Sequence, residues 1–105
     1  MFTVIGTQTY EQELDDWSKA DKEAAHKLPK QLASSPLVGR SLGLPFLREK
    51  RVGGKRVYYL VYNDLNLILL VATSAKKDQQ ETIDHIKDQL PEFRTVAEEI
   101  IKQGV

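Results

Sequence analysis

The chain has 105 residues, a formal net charge of zero and no cysteine. This length allows one small folded domain over residues 1–105, and a composition of 41% hydrophobic and 29% charged residues is typical of folded chains rather than disordered ones. The lack of cysteine excludes disulfides and thiolate metal sites, and it fits a cytoplasmic location. Without a basic flank and apolar stretch at the start, or an apolar run of about 20 residues, we expect no signal peptide and no membrane span.

The first third of the chain predicts one strand followed by two helices. Residues 2–5 have the apolar character of a short strand. Thr9 and Gln12 have the spacing of a capping box, so we expect a helix to begin there. Apolar residues at helical spacing predict a second helix over residues 21–34. Pro29 should kink or restart that helix, because proline lacks a backbone N–H.

Three extended segments follow the loop of residues 34–45, and they cover residues 46–52, 55–62 and 65–75. Gly53-Gly54 separates the first two segments and predicts a tight hairpin, because glycine adopts the positive φ angle that such a turn needs. The third segment is apolar on both faces. It therefore predicts a central strand that is covered on each side.

Two helices are predicted to close the chain. One begins near Asp78 and ends before Pro91, and the other extends from Pro91 over residues 91–105. The element order is then β-α-α-β-β-β-α with an additional C-terminal helix. This order predicts an α+β fold, a small antiparallel sheet with helices on one face.

The hairpin gathers positive charge. A two-residue turn pairs Arg51 with Arg56, and like charges in directly paired positions cost about 0.2 to 1 kcal/mol, so this pairing calls for an anion. The antiparallel strand that follows should bring Lys76 and Lys77 to the same end of the sheet. Clustered guanidinium and ammonium groups suit phosphate. The alternative is a solvated strand edge whose charges only prevent pairing between sheets.

The order of these features resembles the RelE/ParE superfamily of toxins from toxin–antitoxin modules. The segment RVGGKRVYYLVY is similar to the arginine hairpin of that family, and AKKDQQETIDHI is similar to the lysine-rich strand end of its HigB-like members. The resemblance extends from Phe2 to about Leu90. It implies a RelE/HigB-like toxin that cleaves messenger RNA, free or on the ribosome, and that a cognate antitoxin holds inactive. The helix of residues 91–105 lies beyond the usual end of the family.

The resemblance also implies roles for individual residues. The reaction is attack by a ribose 2′-OH on the adjacent phosphate, and it needs a base, an acid and charge stabilisation but no metal or cofactor. Arg56 would stabilise the scissile phosphate, Lys50 would act as the base, and Lys77 would act on the leaving oxygen. We expect one of two neighbouring tyrosines in the hairpin to face outward and stack on a base. The further RNA-binding residues are Arg48, Arg51, Lys55, Tyr58 and Lys76.

Several alternatives stay open at this stage. The general acid is unassigned, because Thr82 or Ile83 stands where the best-studied members carry a tyrosine. His85 is a weaker candidate, since a histidine at the margin of a helix face is more often solvated. A ParE-like toxin that inhibits DNA gyrase would share the fold without catalytic cations. A non-catalytic module that binds nucleic acid or an acidic antitoxin segment is the third reading.

Overall fold

A computed structural model of the chain describes residues 1–104. Its elements in chain order are β1 (Thr3–Gly6), α1 (Gln8–Asp15), α2 (Lys19–His26), α3 (Leu28–Ser34), β2 (Arg40–Ser41), β3 (Leu47–Val52), β4 (Lys55–Tyr62), β5 (Leu67–Ala75), α4 (Gln79–Asp88) and α5 (Leu90–Lys102). Short 3₁₀ turns at Asn63–Leu65 and Lys76–Asp78 precede and follow β5. The predicted α+β class is confirmed.

The sheet is mixed, so the predicted all-antiparallel sheet is wrong. Its strand order is β1-β5-β4-β3-β2, and β1 pairs parallel to β5 with Thr3 opposite Leu67, whereas the other neighbours are antiparallel. A parallel pair needs a long connection, which the three helices and three strands between β1 and β5 supply. The apolar pattern of β1 predicts a strand but contains no information about which strand it joins.

Helices cover both faces of the sheet, so their predicted placement on one face is wrong. One face packs against α1, α2 and α3 in a cluster that includes Tyr10, Leu28 and Tyr59, and we call it the first face. The second face packs against α4 and α5 in a cluster that includes Tyr58 and Ile86. Alternate side chains of a strand point to opposite faces, so a strand that is apolar throughout needs both covers. The predicted coverage of β5 on each side is confirmed.

The prolines predict the starts of the helices more accurately than the predicted capping residues do. Pro29 lies in the first turn of α3 and restarts the helix as predicted, and Pro91 lies in the first turn of α5. The predicted capping box at Thr9 is wrong, because Thr7 caps α1 and its hydroxyl accepts the backbone N–H of Tyr10 at 3.2 Å. Within residues 1–104, no single helix is both long enough and apolar enough to cross a bilayer.

Candidate functional site

The hairpin has the register that the Gly-Gly turn predicts. Arg51 lies opposite Arg56, and the turn between their strands is made with Gly53 in the left-handed region at a φ of 61°. The neighbouring antiparallel strand β5 places Ala75 opposite Lys55, so the chain enters its lysine turn at the same end of the sheet. The predicted arrival of Lys76 and Lys77 at the end of the sheet that carries Arg51 and Arg56 is confirmed by the strand register.

Arg56 is buried against an acidic side chain of the same hairpin. Its side chain is only 6% exposed, and its Nε donates a hydrogen bond of 3.1 Å to Oε1 of Glu49, which is itself buried. Residues two apart on a strand share a face, so Glu49 and Arg51 both lie on the second face of the sheet. The anion that the Arg51–Arg56 pairing requires is therefore supplied by the chain itself.

The second carboxylate oxygen of Glu49 has two further donors. Nε2 of Gln79, the first residue of α4, donates at 2.7 Å, and Nη2 of Arg40 in β2 donates at the longer distance of 3.5 Å. Three elements thus converge on one carboxylate that pairs with two guanidinium groups, which leaves an excess positive charge. Sequence reasoning missed Arg40 and Gln79. A strand of two residues has no detectable period, and the contact with α4 spans 30 positions.

Tyr58 lies beneath this network and has no exposed surface. Its hydroxyl shares a 2.8 Å hydrogen bond with Oγ of buried Ser74. Burial raises the pKa of Tyr58, and the hydrogen bond with Ser74 opposes that rise. Tyr59 is also fully buried, on the first face, so the expectation that one of the two tyrosines faces outward is wrong. Tyr58 therefore has no surface on which a base could stack.

Arg48 is engaged with the loop between α3 and β3. Its Nε and Nη2 donate to the carbonyl oxygen of Gly39 at 3.1 and 2.8 Å. Nη2 also donates to Leu37 O at 3.2 Å, and Nη1 donates to Pro45 O at 3.0 Å. One guanidinium group thus binds three carbonyl oxygens spread over nine residues of loop. The surroundings of Arg48 differ from those of a freely solvated cation on a strand edge.

Gly39 fixes the same loop against the sheet. Its N–H donates to the hydroxyl of Tyr59 at 3.0 Å, and that hydroxyl donates to Pro36 O at 2.9 Å. A Cβ atom at Gly39 would lie 2.5 Å from the backbone oxygen of Glu49 and 2.8 Å from the Tyr59 hydroxyl. Only glycine lets the loop approach β3 this closely. The adjacent Arg40 is thereby delivered opposite Glu49.

Lys50 is not brought to the Glu49–Arg56 pair. It pairs with Val57, whose side chain belongs to the cluster on the first face, so the Lys50 side chain points away from Arg56. Lys77 is exposed in the 3₁₀ turn, two residues before Gln79. His85 lines a cleft of about 880 Å³ on the opposite flank of α4 from Gln79.

Two shallow depressions meet at Arg40. One has a volume of about 320 Å³, and the other has a volume of about 390 Å³ and reaches the flank of α4. Besides Arg40, the first is lined by Val38, Gly39, Glu49, Lys50 and Arg51, and the second by Ser41, Leu42, Gly43, Gln79, Gln80, Ile83 and Lys87. Within residues 1–104, no group of three or more His, Asp or Glu side chains could hold a metal ion.

Comparison with known proteins identifies the fold. No family model and no curated protein matches the sequence. Among solved structures, the isolated RelE toxin of E. coli matches with a TM-score of 0.64 and 14% identity, over 82% of this chain and 99% of that chain. A chain of the Pyrococcus horikoshii RelE–RelB complex matches with a TM-score of 0.64 and 19% identity, over 71% and 94% of the two chains. A chain of the Mycobacterium tuberculosis RelBE2 toxin–antitoxin complex matches with a TM-score of 0.63 and 22% identity, over 71% of this chain and 98% of that chain. The fold that the resemblance implied is confirmed, and the chain has the RelE-like fold.

Proposed function

We propose that this chain is the toxin of a toxin–antitoxin module and that it acts as a messenger-RNA endoribonuclease. The observation that carries the proposal is the buried Glu49–Arg56 pair beside depressions lined by exposed cations, on a RelE-like fold. A buried guanidinium held by a carboxylate is a pre-oriented donor for phosphate oxygens. The exposed residues Arg51, Lys76 and Lys77 would attract the RNA backbone to the same end.

The reaction we propose needs no external oxidant or reductant. The ribose 2′ oxygen attacks the adjacent phosphorus, a new P–O2′ bond forms, and the P–O5′ bond breaks. The base takes the 2′-OH proton, and the leaving 5′ oxygen gains a proton. The products are a 2′,3′-cyclic phosphate and a 5′-hydroxyl. Arg56 and Arg51 would stabilise the charge that grows on the non-bridging oxygens. Lys77 would protonate the leaving 5′ oxygen or neutralise its charge.

We propose Glu49 as the base: of the three donors to its buried carboxylate, Arg40 makes the longest hydrogen bond, 3.5 Å, and this bond would open to let Oε2 take the 2′-OH proton. Its carboxylate lies on the same face as Arg56 and is hydrogen-bonded to it. Lys50, the base expected from the sequence, leaves β3 on the other face but also lines the first depression beside Arg51, so it would have to reach across the edge of β3 to a phosphate on Arg56. Lys50 is therefore the competing assignment. Lys55 and Lys76 remain as contacts for the RNA backbone outside the reacting group.

The antitoxin is the protein partner that this function requires. The solved M. tuberculosis structure is a toxin–antitoxin complex, and the P. horikoshii structure is a complex of RelE with RelB. We propose that a cognate antitoxin neutralises this chain in the cytoplasm, where messenger RNA is translated. The matched toxins are covered almost entirely, whereas 71% to 82% of this chain is matched. We propose that α5 belongs to the surplus and is an addition to the usual toxin domain.

Inducible expression with primer extension on cellular messenger RNA tests the proposal. We expect the parent to arrest growth and to produce discrete new RNA ends, and the purified chain to cleave messenger RNA either free, with EDTA present, or on added ribosomes. Arg56→Ala and Glu49→Gln should each lower cleavage by about 10²-fold or more. Lys50→Met should retain most of it, and Lys102→Ala, an exposed cation on α5, is the matched control.

The outcomes separate the competing functions. Loss of cleavage in Lys50→Met with full cleavage in Glu49→Gln would make Lys50 the base. Intact messenger RNA together with DNA damage would indicate a ParE-like gyrase inhibitor. Growth arrest by a folded Arg56→Ala variant at the level of the parent would contradict the proposed site, and circular dichroism of each variant shows whether it is folded.

A further inference from the structure

We propose that Arg40 is a further phosphate-binding residue, and that Arg48 positions it without itself contacting nucleic acid. The inference rests on the proposed function only in taking the ligand to be a nucleic-acid phosphate. It reassigns Arg48, which the sequence places among the RNA-binding residues. It also adds Arg40, which the sequence places in an ordinary loop.

Arg40 is the accessible guanidinium of the network. Its side chain is 68% exposed, whereas that of Arg56 is 6% exposed. Within residues 1–104 its side chain makes one hydrogen bond, the 3.5 Å contact with Glu49 Oε2, and that oxygen already accepts a shorter bond from Gln79. A guanidinium has five N–H donors in a fixed fork. Arg40 can therefore give a phosphodiester two parallel hydrogen bonds and lose only a long one.

The position of Arg40 suits a nucleotide chain. Arg40 lines both depressions, of about 320 and 390 Å³, which extend from it toward β3 and toward α4. A phosphate on Arg40 thus leaves space on each side for the neighbouring nucleotides. Arg51 on the first depression and Lys87 on the second supply positive charge along the path. The backbone of a single strand would cross at Arg40.

Arg48 holds the loop that presents Arg40. Nε, Nη1 and Nη2 of Arg48 each donate to a loop carbonyl, so binding of a phosphate would require it to release the loop. The carbonyl of Gly39, which immediately precedes Arg40, takes two of these bonds. A lysine keeps the charge but has no fork with which to bind these carbonyls together. Arg48→Lys therefore removes the positioning and keeps the charge.

The salt dependence of binding to a single-stranded 2′-deoxy oligonucleotide tests the inference. This probe lacks the 2′-OH, so binding is measured apart from cleavage. We expect Arg40→Ala to weaken binding and to reduce the slope of log K against log salt by about 0.7, the value for one phosphate contact on a single strand. Arg48→Lys should weaken binding by the parent chain but not by the Arg40→Ala chain, because its effect acts through Arg40. Lys102→Ala is the control, and thermal melting establishes that each variant is folded.

Each other result decides against one of the claims. An unchanged slope in Arg40→Ala, or no binding of the oligonucleotide by the parent, overturns the phosphate-binding role of Arg40. An Arg48→Lys variant that binds as the parent does, or that weakens both chains equally, overturns the positioning role of Arg48. Binding of the oligonucleotide without cleavage of either free or ribosome-bound messenger RNA removes the ribonuclease proposal and leaves the inference intact.

Discussion

Replacing Glu49 by leucine should destabilise the fold more than replacing its partner Arg56 by methionine. Glu49→Leu leaves the guanidinium of Arg56, 6% exposed, without its carboxylate. Arg56→Met leaves Glu49 with the hydrogen bonds from Gln79 and Arg40. Breaking a buried ion pair from one side leaves an uncompensated charge, and the cost depends on what else that charge can bind.

The magnitudes follow from this asymmetry. We expect Glu49→Leu to lower the free energy of unfolding by about 3 to 5 kcal/mol, the usual cost of orphaning a buried charge. Arg56→Met should cost about 1 to 3 kcal/mol, because the carboxylate keeps two donors. The double variant should be close to the parent in stability, since well-packed apolar residues often replace a buried pair at no cost. The coupling free energy of the cycle is therefore large and favourable.

Urea denaturation at neutral pH measures all three variants, and equal m-values show that the comparison is valid. The exposed Arg94–Asp64 pair is the control: its 2.6 Å contact is shorter, yet its side chains are 37% and 62% exposed, so Asp64→Asn should cost less than Glu49→Leu. The reasoning is refuted if Arg56→Met is the more destabilising single change. It is also refuted if the double variant is as unstable as Glu49→Leu.

The tyrosines and the glycines give two more tests. Burial raises the pKa of Tyr10 and Tyr62 to about 12, above the ordinary value of 10, so their contribution to stability is complete below pH 10 and is lost as the pH rises to 12. Tyr62→Phe should reduce this loss of stability at high pH, as measured by urea denaturation from pH 9 to 12. At pH 7 the same variant should be as stable as the parent or more stable, because the Tyr62 hydroxyl is buried without a partner among residues 1–104. Tyr59→Phe, which deletes two hydrogen bonds, should cost about 1 to 2 kcal/mol at pH 7, and the opposite order would contradict this account. Gly39→Ala should cost about 1 to 3 kcal/mol, because the new methyl group would collide with the backbone of β3. Gly54→Ala has open space and should melt like the parent. Equal melting temperatures of the two variants would refute the close packing of the loop.

The sequence predicts the local features of this fold better than the distant ones. Gly53-Gly54 specifies the pairing of Arg51 with Arg56 because a two-residue turn leaves one register. Pro29 and Pro91 mark helix starts because the backbone N–H that proline lacks would have no intrahelical acceptor in the first turn. The parallel partner of β1 and the second helical cover were not predictable in this way. The spacing of apolar residues along a segment shows which of them share a face. It contains no information about which element packs on that face.

The candidate site divides along the same line. The arrival of Lys76 and Lys77 at the hairpin end follows from strand direction alone, so it could be predicted. The burial of Arg56 by Glu49 could not, because it depends on α4 closing the second face and on Gln79 holding the carboxylate. The exposed cations are visible in the sequence, whereas the pair that would organise their chemistry is a product of tertiary packing.

Stability alone gives little reason for a buried pair of this kind. Apolar side chains of similar size would cover the second face without desolvating two charges, and such replacements are often neutral or stabilising. A Glu49→Leu, Arg56→Met double variant should thus fold and melt like the parent. If the pair exists for the phosphate chemistry we propose, that stable variant should also fail to cleave RNA, while it keeps Arg40 and the exposed cations outside the pair. A stable double variant that still cleaves would show that the pair is only a structural feature of the sheet.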